Sequence, residues 1–325
     1  MHELRKIAIL DDYHHLAPGA GDWGQFGAEV AIFDSHIDPA LMAVSLHDYD
    51  TLILMRERSS FPRELLEQLP ELRLVVTTGM HNAAVDSDYL ATRGITMLGT
   101  GVPGYEVARP GCSSTAEVAW ALIFALYKRI TLEDAALRRG GWQQGLPTNL
   151  SGQHLGLLGL GRLGQQMIAP AKAFGMQVSA WSQNLTGELA AEQGVGYASS
   201  LQELLSDCDV ISLHLVLSER TRGLLGAAEL AMMKPTAFII NTSRGPIIDH
   251  DALVAALRRD QIGGAGLDVY DQEPISASDP LLSCANTVLT PHLGYVSEQG
   301  LTEMYRQVIE DLQRYQAGTP IRVII

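Results

Sequence analysis

Short apolar segments alternate with helical patterns from the start of the chain. The segment PRELLEQL (62–69) has the apolar spacing of one helical face. The strand-like segments around it are KIAIL (6–10), VAIFD (30–34), TLILM (51–55), LRLVVT (72–77) and ITMLG (95–99). Strands that are almost continuously apolar are typical of a parallel sheet covered on both faces. Residues 1–100 are therefore predicted to form a small α/β domain.

A second alternation begins near residue 154 and fills most of the remaining chain. Its helical segments include DHDALVAALRRD (249–260). Its strand-like segments are HLGLLGLG (154–161), QVSAW (177–181), VISLHL (210–215), AFIINTS (237–243), GAGLDV (264–269) and TVLTPH (287–292). This pattern predicts a second, complete doubly wound α/β domain.

Two further helical segments bear on how the domains are organised. SSTAEVAWALIFALYKRI (113–130) is apolar on nearly every side, which is typical of a helix between two layers or domains. Ser114 followed by Glu117 predicts a capping box at its start. Near the C terminus, apolar residues recur on one helical face at Leu301, Met304, Tyr305, Val308, Ile309, Leu312 and Tyr315.

This final apolar face needs a surface to cover it, so we predict that the chain returns to the first domain and ends in a strand-like run, IRVII (321–325). The predicted domains are then residues 1–100 with 297–325, and residues 101–296. The first domain is discontinuous in this assignment.

Composition and charge exclude several classes of protein. The formal net charge of −14 over 325 residues argues against nucleic acid or anionic membranes as partners. Cys112, Cys208 and Cys284 lack CxxC spacing, which predicts reduced thiols rather than disulfides or a metal site. The start of the chain lacks the form of a signal peptide, and the longest apolar run is too short to span a bilayer. We therefore expect a cytoplasmic protein.

The segment HLGLLGLGRLGQQM (154–167) contains the pattern GxGxxG at Gly159, Gly161 and Gly164. These glycines permit a tight turn, close approach of a pyrophosphate, and close packing of helix on strand. Because an apolar strand precedes the pattern and a helix follows it, we predict a dinucleotide-binding site.

The choice between NAD and NADP is usually decided at the end of the next strand, where an acid selects NAD. Ser182 stands at this position, with Gln183 and Asn184 behind it and no arginine in its place. The sequence therefore leaves the choice between NAD and NADP open.

Three charged residues follow predicted strands of the second domain: Arg244, Glu273 and His292. They are expected at one edge of the sheet, where the carboxyl ends of parallel strands meet. Histidine can exchange a hydroxyl proton near neutral pH, and a carboxylate beside it orients the ring. A guanidinium can bind a substrate carboxylate through two hydrogen bonds. This set predicts an enzyme that transfers a hydride to or from an oxygen-bearing carbon.

Several segments together resemble the D-isomer-specific 2-hydroxyacid dehydrogenases, the family of phosphoglycerate, glycerate and glyoxylate/hydroxypyruvate enzymes. They are GLGRLG (159–164), LHLVLSERTRGLL (213–225), MMKPTAFIINTSRG (232–245), GLDVYDQEP (266–274) and TPHLGY (290–295). The resemblance implies a Rossmann-type NAD(P)-binding domain, a discontinuous flavodoxin-like substrate domain, NAD or NADP as cofactor, and usually a homodimer. It implies that Arg244 binds substrate and that Glu273 and His292 transfer a proton.

The resemblance also implies two sets of binding residues. The substrate set comprises Arg56 and, in the loop TTGMHNAAVD (77–86), Gly79, Met80 and His81; family members usually have a small residue in place of His81. The segment at 103–117 is a few residues longer than in most family members. Arg109 within it is a further candidate for binding an anionic substrate. The cofactor set is Gly159, Gly161, Arg162, Leu163, Gly164, Ser182, Gln183, His214, Thr221, Thr242 and Asp268, with Asp268 facing the nicotinamide amide.

The predicted function is an NAD(P)-dependent oxidoreductase that interconverts a small D-2-hydroxy acid and its 2-keto acid. Formate dehydrogenases share the fold but pair the histidine with glutamine, so Glu273 argues against that activity. A non-catalytic dinucleotide sensor, like the related transcriptional co-repressors, keeps the same three residues and stays open as an alternative.

Overall fold

The computed structural model describes residues 2–101 and 113–325. It contains two compact units, one of Met1–Arg109 with Ser297–Ile325 and one of Pro110–Val296. Each unit has a parallel sheet with helices, which confirms the predicted α/β fold class with two doubly wound sheets. The assignment of substrate binding to one unit and dinucleotide binding to the other stays a prediction. Arg109 and Cys112 lie outside the described residues.

The first unit contains a five-stranded sheet in the order β2-β1-β3-β4-β5, which is the flavodoxin-like order. Its strands are β1 (Lys6–Ile9), β2 (Glu29–Ile32), β3 (Thr51–Leu54), β4 (Leu74–Thr77) and β5 (Thr96–Gly99). Its helices are α1 (Met42–Leu46), α2 (Arg63–Leu66), α3 (Ser87–Thr92) and α12 (Glu298–Gln316), with 3-10 turns at Ala17–Gly19 and Trp23–Phe26. Every residue of β3 and β4 is buried, which accounts for their continuous apolar pattern.

The C-terminal segment completes the first unit. Helix α12 begins after Ser297, whose hydroxyl accepts a hydrogen bond from Gly300 N, and it packs on β4 and β5. The predicted strand at IRVII is wrong, because the structure contains a single bridge between Val323 and Leu98 there. Arg322 has a φ of +51°, outside the extended region, so a regular strand cannot run through it.

The second unit contains a seven-stranded sheet in the order β12-β11-β10-β9-β6-β7-β8. Its strands are β6 (His154–Leu158), β7 (Gln177–Trp181), β8 (Gly196–Tyr197), β9 (Val210–Leu213), β10 (Phe238–Asn241), β11 (Gly264–Leu267) and β12 (Thr287–Leu289). Its helices are α4 (Ser114–Tyr127), α5 (Ile130–Arg138), α6 (Arg162–Gln166), α7 (Ile168–Ala173), α8 (Gly187–Glu192), α9 (Leu201–Asp207), α10 (Ala227–Leu230) and α11 (His250–Arg258), with 3-10 turns at Gly245–Ile247 and Pro280–Ser283. Strand β8 was not predicted, because both of its residues are exposed at the sheet edge and carry no apolar pattern.

Helix α4 packs on β10, β11 and β12, which explains why it is apolar on most sides. The predicted capping box at its start is wrong. The N-cap is Ser113, and no side chain caps the helix. Glu117 is then one position too far along the helix to return a bond to the N-cap backbone. None of the described helices combines the length and apolar character needed to cross a bilayer.

Candidate active site

Arg244, Glu273 and His292 lie on the loops that follow three neighbouring strands of the second unit. Arg244 follows β10, Glu273 follows β11, and His292 follows β12. These strands run parallel and are adjacent in the sheet, so their loops leave from the same edge. This is the edge at which open α/β sheets bind ligands.

Glu273 and His292 form a direct pair. The His292 Nδ1 atom lies 2.6 Å from Glu273 Oε2, and the two side chains are 24% and 29% exposed. The other carboxylate oxygen, Oε1, accepts a hydrogen bond from Tyr270 N at 2.9 Å. Because Glu273 accepts at Nδ1, the ring is oriented, and Nε2 is the ring nitrogen that does not contact the carboxylate. The ring of Tyr295 packs edge-on against His292 at 5.3 Å.

Asp268 fixes the loop that carries His292. It is completely buried, and Oδ1 accepts hydrogen bonds from Thr290 Oγ1 (2.6 Å) and Leu293 N (2.7 Å). Its Oδ2 accepts from Gly294 N (2.8 Å). Burial raises the pKa of Asp268 although these hydrogen bonds oppose the rise. The carboxylate thus supports the left-handed backbone of His292 (φ +52°), and its contact with nicotinamide stays a prediction.

Two buried polar residues before Arg244 shape its loop and were missed by the sequence analysis. Asn241 Nδ2 donates to Arg244 O at 2.9 Å, and Asn241 Oδ1 accepts from Ser243 N at 3.0 Å. Ser243 Oγ donates to Leu213 O at 2.8 Å, which ties the loop to the neighbouring strand. The signal was a run of polar residues that continues a buried strand. Arg244 itself is half-buried.

The glycine turn has the shape that a dinucleotide needs. Gly159 has a φ of +106°, and a Cβ there would lie 2.6 Å from His214 O. A Cβ on Gly164 would collide with Gly159 O, whereas Gly161 faces open space. The first and third glycines are therefore required by packing, and the second leaves room for a pyrophosphate. Arg162, the first residue of α6, is exposed, and Leu163 is half-buried.

Orphaned polar atoms on the neighbouring strands fit the same ligand. Thr242 Oγ1 is buried and has no hydrogen-bond partner among the described residues. His214 bonds Ser212 Oγ through Nε2 at 2.9 Å, while its buried Nδ1 has no partner in that same part of the chain. Burial lowers the pKa of His214 to about 4, so its ring is neutral at pH 7. Thr221 uses its hydroxyl in its own turn, donating to Val216 O at 2.7 Å.

The predicted substrate residues of the first unit follow β3 and β4, which are neighbours in the sheet. Arg56 has a φ of +52°, and its Nη1 donates to Thr78 O at 3.3 Å. The guanidinium lies so close to Gly79 that a Cβ on that residue would collide with it. Met80 and His81 are exposed. A bare glycine therefore lets the arginine lie on this loop.

Asn82 ties these two loops together and was also missed. Its Nδ2 donates to Arg56 O (2.7 Å) and to Thr77 Oγ1 (2.9 Å), and its Oδ1 accepts from Ala84 N (3.0 Å). Arg56 N donates to Thr78 Oγ1 at 2.8 Å, which adds a second link. In the sequence Asn82 has the form of an ordinary turn residue, and only its burial distinguishes it.

Comparison with known proteins identifies the family to which the chain is similar. The family model described as "D-isomer specific 2-hydroxyacid dehydrogenase, NAD binding domain" matches residues 120–294. A glyoxylate reductase of Aeropyrum pernix is 37% identical over 266 residues, which cover 78% of this chain and 76% of the relative. A hydroxypyruvate reductase of Blautia hydrogenotrophica is 30% identical over 329 residues, 98% of this chain and 99% of the relative. The crystal structure of a phosphoglycerate oxidoreductase from Vibrio cholerae O395 superposes with a TM-score of 0.88 at 32% identity, covering 97% of this chain and all of the other.

Proposed function

This chain belongs to the D-isomer-specific 2-hydroxyacid dehydrogenases, and from that premise we propose that His292 and Glu273 provide its acid–base catalysis. The family consists of oxidoreductases that act on CH–OH groups with NAD or NADP, and this chain is one of them. The proposed reaction interconverts a small 2-keto acid and the D-2-hydroxy acid. The observation that carries the proposal is the 2.6 Å contact between His292 Nδ1 and Glu273 Oε2.

In the reducing direction, His292 Nε2 donates a proton to the C2 carbonyl oxygen of the substrate. A nicotinamide cofactor, when bound, would supply the hydride for C2, and the proton from His292 would complete the hydroxyl. Glu273 accepts from Nδ1 and stabilises the charged imidazolium before the proton leaves. In the oxidising direction the same nitrogen removes the hydroxyl proton. Positioned acid–base catalysis of this kind contributes roughly 10²–10⁴ in rate.

Charged and backbone groups bind the two ligands in this proposal. Arg244 binds the substrate carboxylate through its guanidinium, which holds C2 in place. On the first unit, Arg56 and the backbone N–H groups of Gly79, Met80 and His81 are the groups proposed to bind substrate. The open face of Gly161 and the hydroxyl of Thr242 receive the cofactor.

The names of the relatives guide the choice of substrate. Relatives across most of the chain are a glyoxylate reductase and a hydroxypyruvate reductase. Both substrates are short 2-keto acids with one carboxylate, which suits a site with one clamping arginine in the second unit. We therefore place glyoxylate and hydroxypyruvate first in the panel of substrates.

The test is turnover of the purified protein with a panel of 2-keto acids and each reduced cofactor, followed at the nicotinamide absorbance. Glu273→Gln keeps a hydrogen-bond acceptor but removes the charge that favours imidazolium. It should lower kcat while the dissociation constant of the cofactor changes little, because the contact with His292 Nδ1 loses its charge. Absence of turnover with every keto acid, combined with tight cofactor binding, would favour the dinucleotide sensor instead.

The proposed partner is a second copy of the chain. Helix α5 and the loop after it expose four large apolar side chains, Ile130, Leu137, Trp142 and Leu146, between half and nine-tenths of each being accessible. We infer that this segment is an interaction surface, because four large exposed apolar side chains within 17 residues are costly to leave in water. Trp142→Asp should convert a dimer into a monomer in light scattering. Val44→Asp, at an exposed apolar residue of the first unit, is the control that should leave the mass unchanged.

A further inference from the structure

The carboxyl end of β7 lies directly beside the glycine turn. Gly159 N donates to the carbonyl of Trp181, the last residue of β7, at 2.9 Å. In dinucleotide-binding sheets the residue after this strand meets the adenosine ribose, and an acid there repels a 2′-phosphate. Ser182 holds this position and is half-buried, while Gln183 and Asn184 are exposed. The sheet edge therefore offers a ribose a small hydroxyl in place of a carboxylate.

The next carboxylate along the chain, Glu188, is engaged within its own helix. It lies in the first turn of α8, which Thr186 caps by accepting from Leu189 N. Hydrogen bonds from its own backbone N–H and from the Thr186 hydroxyl hold the pKa of Glu188 below its usual value. The carboxylate is thus kept at the start of α8 and does not replace the missing acid at Ser182.

Two ionisable groups next to the glycine turn, His214 and Arg162, do not oppose a phosphate either. His214, which follows β9, is neutral at pH 7 because burial lowers its pKa to about 4. Arg162, at the first position of α6, carries a positive charge next to the glycine turn. Neither of these two groups repels a phosphate, although the whole chain carries a formal net charge of −14.

We propose that Ser182 makes the ribose end of the cofactor site permissive, so that the protein binds NADPH and NADH with affinities that differ by less than about tenfold. This inference rests on the proposed function as a dinucleotide-dependent enzyme. It concerns the choice between NAD and NADP that the sequence alone left open.

The experiment is calorimetric titration of the full-length protein with NADH and NADPH. A second pair of probes, adenosine 5′-monophosphate and adenosine 2′,5′-bisphosphate, isolates the ribose end from the nicotinamide end. In Ser182→Asp the new carboxylate would repel the 2′-phosphate. The affinity for NADPH should therefore fall by about tenfold or more relative to the affinity for NADH. Ser182→Asn has the same size without the charge and should leave the ratio within about threefold.

The outcomes separate this inference from the proposed function. A wild-type preference of more than about tenfold for either cofactor would overturn it. An unchanged ratio of affinities in Ser182→Asp would overturn the role of Ser182. If neither cofactor nor either adenosine probe binds, the proposed function fails instead.

Discussion

Two aspartates, one in each unit, are equally buried but differently bonded. Asp268 and Asp311 are both 0% exposed. Asp268 accepts three hydrogen bonds from uncharged donors of the loop at 290–294. Asp311 accepts from Arg322 Nε at 2.9 Å through Oδ1, while its Oδ2 has no partner in the described part of the chain. Burial raises the pKa of both carboxyls, and that of Asp311 to about 7.

The difference shows two uses of a buried carboxylate. Backbone and hydroxyl donors surround Asp268, so the carboxylate sets the path of a whole loop and with it the position of His292. At Asp311 one ion pair joins α12 to the returning chain, and the unfilled oxygen keeps the group easy to protonate. The first arrangement holds the loop that carries the proposed catalytic histidine, whereas the second supports the fold and should make its stability sensitive to pH.

The largest expected effect tests whether the region held by Asp268 performs the chemistry. His292→Asn should lower kcat by about 10²–10⁴, because the amide cannot exchange the hydroxyl proton. The dissociation constant of the cofactor should change little in calorimetry. His154→Asn, at the opposite end of a strand of the same sheet, is the matched control. Equal losses of kcat in both variants would contradict the assignment.

The pH dependence of stability should distinguish the two aspartates. The folded-state pKa of Asp311, about 7, exceeds the usual 3.8. Its contribution to the free energy of unfolding is therefore full below pH 4 and decreases as the pH rises to 7, by up to about 4 kcal/mol. Arg322 opposes this shift and Glu310 adds to it.

Asp311→Asn cannot titrate, so its melting temperature relative to wild type should rise between pH 5 and pH 8. Other carboxylates titrate in both proteins, and their effects cancel in this difference. Parallel pH dependences of the two melting temperatures would contradict a folded-state pKa of about 7 for Asp311.

Asp268→Asn should disrupt the hydrogen bonds that hold the loop at 290–294. The amide presents an N–H group to at least one backbone donor, so a buried donor loses its acceptor, which costs about 3 kcal/mol. We expect a lower melting temperature and a lower kcat together. Thr290→Val removes one of the three hydrogen bonds and should give a smaller loss of both. If kcat of Asp268→Asn stayed at the wild-type value, the loop would not depend on this carboxylate.

The smallest expected effect concerns Asn82 of the first unit, an uncharged side chain that also holds loops together through hydrogen bonds. Asn82→Ala leaves Arg56 O and Thr77 Oγ1 without their donor, which should cost about 1–3 kcal/mol. Because Arg56 is a proposed substrate residue, KM for the keto acid should rise while kcat and cofactor affinity change little. Asn149→Ala, at an exposed position, is the control. A fall in kcat with an unchanged KM would show that Asn82 has another role.

Much of the fold could be predicted, because most strands are buried on both faces and therefore appear in the sequence as continuous apolar segments. Strands β3, β4 and β9 are buried at every residue. The predictions were wrong or incomplete where residues are exposed or where one residue sets the boundary of an element. The exposed β8 has no pattern, Arg322 interrupts the last run, and the start of α4 differs by one residue from the predicted cap.

Within the candidate site, local motifs identified the charged residues but not the groups that hold them. Arg244, Glu273 and His292 could be found because each follows a predicted strand. Asn82 and the structural use of Asp268 could not, because their partners lie 26 and 22 residues away. The sequence does not reveal whether a polar side chain is buried or which hydrogen-bond partners it has after folding.

The sequence by itself determined the class of fold, the glycine turn and the candidate chemistry, because each depends on residues that are near one another along the chain. Only the tertiary structure decided that burial raises the pKa of Asp311 and that Asn82 links the loops after β3 and β4. It also decided that His292 and Arg56 each have a left-handed backbone conformation. These properties depend on which donors surround a group after folding. Such donors come from distant segments, so the free energy that settles them is absent from any local pattern.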